Sequence, residues 1–157
     1  MADEGEAAVV NRYLQQTPVD LDGMAAELGL AVERSPLANS IAGKLIRDHA
    51  ARAGYRIVIN SHDAPRRQRF TFAHELAHFM LHRDLVDEVV DNALYRSPNL
   101  GDDMERQADR FAAQLLLPAQ EVRRAYRDDK VLASLAERFD VSDTALRIRL
   151  RELGLAP

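Results

Sequence analysis

The chain has 157 residues, enough for one domain with its own core, and its 46% hydrophobic and 29% charged content excludes a disordered protein. A formal net charge of −4 excludes a global basic field of the kind that gathers nucleic acid, and the absence of cysteine excludes disulfides and thiolate metal sites, leaving any metal to His and carboxylates. No apolar run reaches membrane-spanning length, and Asp3, Glu4 and Glu6 stand where a secretory leader carries basic residues, so a cytoplasmic protein with no membrane partner is expected.

In chain order, residues 19–30 (VDLDGMAAELGL) place apolar side chains at near-helical intervals and end at Gly29, a helix C-terminal signal. Residues 40–47 (SIAGKLIR) and 55–60 (YRIVIN) are β-like and are expected to pair in a small antiparallel sheet. Residues 67–82 lack Pro and Gly and carry Phe70, Ala73, Leu76, Ala77, Met80 and Leu81 at helical spacing, which predicts a largely buried helix. A short helix over 85–93 is expected in the connection that follows, then a loop at 96–103 and a second long helix over 104–117, stopped by Pro118. Residues 131–155 read as helix, turn, helix, with Asp140 and Val141 in the turn and Ser142 as N-cap.

The first long helix carries H-E-L-A-H. Residues four apart project from one helical face, so His74 and His78 can offer two imidazoles to one ion with Glu75 beside them. Two imidazoles and one carboxylate leave a tetrahedral zinc ion one position for water, whose pKa falls to about 7, and Glu75 would then be the general base. The second long helix supplies Glu105 and Asp109, again four apart: Glu105 is the candidate third ligand, and Asp109 the carboxylate that receives the N–H of a ligating imidazole, His74 in preference to His78. His82 extends the row, but at 1.5 Å rise per residue it lies about 12 Å along the axis from His74, too far to share an ion with it.

With these residues placed, the sequence resembles the ImmA/IrrE family of small bacterial metallopeptidases. The resemblance rests on DGMAAELGLAV, on Gly43-Lys44-Leu45 with IVIN, on RQRFTFAHELAHFMLH, and on ERQADRFAAQLLLP, spanning residues 19–118. It implies zinc held by His74, His78 and Glu105, with Glu75 as base. It implies also a protein substrate, namely a helix-turn-helix transcriptional repressor or antitoxin cleaved in a stress, DNA-damage or phage response. The expected fold class is α+β: a small, mostly antiparallel sheet packed on a zincin-type pair of active-site helices, with a peptidase core at 1–125 and a C-terminal helical hairpin at 126–157. A chain ending soon after that hairpin leaves no room for the additional sensor domain of larger members.

Peptide hydrolysis also requires a donor to the developing oxyanion, for which Tyr95 is the first candidate, ahead of His62 and Arg69. In the hairpin, Arg147 and Arg151 share a face and offer a stripe for phosphate, diluted by Glu137, Asp140, Asp143 and Glu152; direct DNA contact is therefore the lesser alternative to docking on the peptidase or its substrate. The competing reading of the whole chain is a regulator stabilised by a structural zinc ion, which binds a repressor or DNA without hydrolysis. A fourth coordination position closed by a protein side chain would favour it.

Overall fold

In the computed structural model, which describes residues 3–156 except 86, 93–96 and 99, seven helices surround one four-stranded sheet, the α+β class expected. Helix α1 (Glu4–Tyr13) opens on a capping box in which Asp3 Oδ1 accepts from the Glu6 amide at 2.7 Å and Glu6 Oε1 from the Asp3 amide at 3.1 Å. The acidic residues near the start of the chain thus stand at the positive end of a helix. Helix α2 (Leu21–Leu28) ends at Gly29, whose φ of 84° places it in the left-handed region that glycine enters without strain.

Strands β1 (Ala31–Ser35), β2 (Ile41–Arg47), β3 (Tyr55–Asn60) and β4 (Glu88–Asn92) lie in the order β1-β3-β2-β4. The pairings β2–β3 and β2–β4 are antiparallel and β1–β3 is parallel, so the sheet is mostly antiparallel. Strand β4 corrects the expected helix over 85–93. Val89, Val90 and their neighbours also fit a half-buried strand, and the free edge of β2 decides the matter: Val89 and Asp91 alternate inward while Glu88 and Asn92 stay exposed. The N-terminal helix, β1 and the later helix α5 (Ala119–Asp128) are additions to the elements expected from the sequence.

Helix α3 (Pro65–His82) starts with Pro at its first position and packs between the β2–β3 face and helix α4 (Asp102–Leu116). It is buried on all sides from Thr71 to Met80. The buried stripe of α4 runs Glu105, Ala108, Ala112, Leu115, Leu116, and the alanines keep that stripe low enough for α3 to approach. Helices α6 (Leu132–Phe139) and α7 (Asp143–Glu152) form the hairpin, with Asp140 in the left-handed region at the turn and Ser142 Oγ accepting from the Ala145 amide. Arg149 is buried and donates from Nε to the Leu117 carbonyl at 2.9 Å, which ties α7 to the end of α4. None of the described helices is long and apolar enough to cross a membrane.

Gly43 is where β2 meets α3. A Cβ there would stand 2.6 Å from Thr71 Cγ2, 2.9 Å from the Val58 carbonyl oxygen and 3.3 Å from Glu75 Oε2. A neighbouring strand carbonyl cannot yield, so Gly43→Ala is expected to lower stability by about 1–3 kcal/mol, read as a lower denaturation midpoint. An unchanged midpoint would mean that α3 and the sheet separate without cost.

Candidate metal centre

Helix geometry brings the two imidazoles of the motif together, with His74 Nε2 and His78 Nε2 3.1 Å apart. Glu105, from the first turn of α4, places Oε1 at 3.1 Å from His74 Nε2 and 3.0 Å from His78 Nε2, while its Oε2 accepts from the Ser97 amide at 3.0 Å. A fourth group, which sequence reasoning missed, comes from β4: Asp91 Oδ2 lies 3.5 Å from His74 Nε2 and 3.3 Å from His78 Nε2. Glu75 lies against β2 at Gly43 and adjoins Asp91. His74, Glu75, His78 and Asp91 are fully buried, and Glu105 is 3% exposed.

The outer nitrogens show which lone pairs face inward. His74 Nδ1 faces Asp109 Oδ1 at 2.9 Å, so its proton belongs on that side, and Asp109 stands where the sequence placed it. On the other ring, His78 Nδ1 lies 3.0 Å from His82 Nδ1, and His82 Nε2 lies 2.9 Å from Gln107 Oε1. The Gln107 carbonyl only accepts, so His82 carries its proton on Nε2 and receives the Nδ1–H of His78. Burial lowers the His82 pKa, which keeps it in this neutral form. His82 is thus no partner in the inner group but the residue that orients His78.

Both Nε2 lone pairs then point at each other and at two carboxylate oxygens, and among the described residues neither Asp91 nor Glu75 receives a hydrogen bond of ordinary geometry. Four acceptors converging in a buried space repel one another unless a cation or protons lie among them. Metal–ligand bonds of about 2.0–2.1 Å in tetrahedral geometry separate ligand atoms by roughly 3.3 Å, and the measured separations bracket that value. Ligand atoms of His74, His78, Asp91 and Glu105 all fall within 4.8 Å of one another, so the residues fit a small divalent ion.

Without metal, protons take up part of this role. Burial alone pushes the His74 pKa down, but Asp109, Asp91 and Glu105 more than offset it and raise it well above the usual imidazole range; at His78, Asp91 and Glu105 also outweigh burial and raise the pKa. Raised pKa values favour the protonated imidazoles, and the ion must displace those protons. Metal uptake is therefore expected to release protons and to tighten with rising pH, measured by calorimetry in buffers of different ionisation enthalpy. Affinity independent of pH between about 6 and 8 would contradict it. Burial, then the charges of Asp91 and Glu105, raise the Glu75 pKa strongly, whereas the imidazoles hold Asp91 low despite its burial. Of the two adjoining carboxyls, Glu75 takes the proton.

The orienting pair gives a second expectation. His82→Ala and Gln107→Ala should each weaken metal binding by about 10–100-fold, read by competition with a chelator. Affinity unchanged in both would remove the pair from the site.

Tyr95 falls outside the described residues. Arg69 donates to the Val19 carbonyl at 2.7 Å, and His62 is exposed in the turn after β3. Asp91 carried one signal: aspartate is uncommon in strands, and it stands two residues after Val89 on what becomes the inner face.

Residues 25–151 match the family model of the IrrE N-terminal-like domain, Peptidase_M78. The chain is also similar to two proteins named radiation response metalloprotease IrrE. That of Deinococcus deserti is 37% identical over 107 residues, covering 64% of this chain and 37% of the relative; that of Deinococcus radiodurans is 35% identical over 107 residues, covering 64% and 32%. The matched part therefore spans about a third of the length of these relatives.

Proposed function

The chain belongs to the IrrE N-terminal-like peptidase family, Peptidase_M78, and on that premise we propose that it is a zinc-dependent endopeptidase whose substrate is a helix-turn-helix repressor or antitoxin in a bacterial stress, DNA-damage or phage response. In this reading His74, His78 and Glu105 hold the ion, Asp109 orients His74, and Glu75 is the base. Tyr95 is the proposed oxyanion donor. The core at 1–125 carries the chemistry in the cytoplasm, and the hairpin at 126–157 docks the substrate.

The observation that supports this most directly is the convergence of buried lone pairs from α3 and α4 beside Glu75. A bound zinc ion supplies a Lewis acid that polarises a peptide carbonyl and lowers the pKa of water to about 7. Glu75 takes the proton of the attacking water and delivers it to the leaving amine. The radiation-response role in the names of the Deinococcus relatives agrees with a stress setting.

The test is incubation of zinc-loaded protein with a helix-turn-helix repressor encoded beside it, against Glu75→Gln. Cleavage by the unmutated protein alone is expected. One observation favours the alternative of a non-hydrolytic regulator with a structural ion: Asp91 stands as a fourth protein group at the centre. On that reading no substrate is cut, and operator binding survives Glu75→Gln but weakens on Arg147→Ala with a shallower salt dependence.

A further inference from the structure

A peptidase centre must admit a peptide, yet here Glu75 and both imidazoles are sealed from solvent. The seal includes the outermost strand of the sheet. Strand β4 lies antiparallel along β2, from Ile46 opposite Glu88 to Ile41 opposite Asn92, and a register shift between Ile41 and Gly43 sets Asp91 opposite Gly43. Gly43 is the β2 residue against which Glu75 lies, and having no side chain it leaves room on the inner face for Thr71 and for the Glu75 carboxylate, which adjoins Asp91. An extended peptide that adds to a sheet edge makes main-chain hydrogen bonds of the kind β4 makes with β2.

From these contacts we propose that β4 is an internal stand-in for substrate. It occupies the β2 edge where an extended substrate segment would pair, and its Asp91 occupies the fourth corner of the metal centre, where water would otherwise bind. The inference rests on the peptidase reading above, and it reconciles a four-group centre with hydrolysis: the protein rests closed and opens when a substrate strand takes the place of β4.

Two features support the exchange. Asp91 is a buried carboxylate that faces the two imidazoles and receives no hydrogen bond of ordinary geometry among the described residues, so it needs a cation or protons beside it, where a valine would fill a strand interior at lower cost. Strand β4 is only five residues long and lies at the edge of the sheet, so an incoming strand replaces one short antiparallel ladder with another.

The experiment uses the full chain loaded with cobalt(II). In Asp91→Cys, the new thiol is the only one in the chain, and contact with the ion produces a near-ultraviolet thiolate-to-cobalt band. That band is expected; visible cobalt absorption without it overturns the inference alone. Acetohydroxamate titrated into the wild type and Asp91→Ala should perturb the cobalt spectrum at least tenfold more tightly in the variant, and Asp91→Asn gives the same comparison if alanine impairs folding. Equal affinities overturn the closed corner while leaving the metal reading intact. Failure of the wild type to bind cobalt overturns both.

Discussion

Replacing Glu75 with glutamine is expected to leave the protein folded and metal-binding while lowering peptide hydrolysis by about 10²–10⁴-fold, the usual contribution of a positioned base. The amide keeps the shape of a fully buried side chain but cannot take a proton from water. Metal content measured beside kcat/KM separates this from loss of the ion. The same variant carries a stability signature. In the metal-free protein the Glu75 pKa is raised by burial and by Asp91 and Glu105, so the folded state keeps a proton that the unfolded state has lost. Glu75 therefore contributes stability to the metal-free wild type that is lost as pH rises above the ordinary value of 4.5, and Glu75→Gln should lack that contribution while keeping the decline at higher pH that the raised imidazoles impose. Retained hydrolysis would remove Glu75 as the base.

Metal removal should be the largest thermodynamic effect. An ion held only by the folded state adds about 4 kcal/mol at free concentrations a thousandfold above Kd, which for a chain of this size is roughly 10 °C in Tm. Chelation is expected to abolish that gain. Glu105→Ala should abolish it too, since the variant removes the carboxylate that faces both imidazoles and accepts from the Ser97 amide. Scanning calorimetry with and without added zinc distinguishes the cases: a full zinc-dependent gain in Glu105→Ala would exclude Glu105 as a ligand.

The helical part of the centre was readable because its information is local. A rise of 1.5 Å and a turn of 3.6 residues place His74 and His78 together whatever surrounds them, and the same period on α4 places Glu105 and Asp109 one turn apart. Caps were equally legible: Gly29 ends α2 and Ser142 begins α7 by interactions within a few residues. The segment over 85–93 was not, because its valines satisfy a helical spacing as well as an alternating one. The link of His82 to Gln107 joins residues 25 apart in sequence, beyond the reach of any local period.

Sequence alone therefore located the helix-borne groups of this protein, since the spacing of each pair lies within one element, and the motifs of the family to which it belongs. Tertiary structure alone decided the fourth corner and the seal. The β2 edge selects a strand at 88–92 and turns Asp91 inward, and a contact between residues some fifty positions apart is set by sheet pairing rather than by any local period.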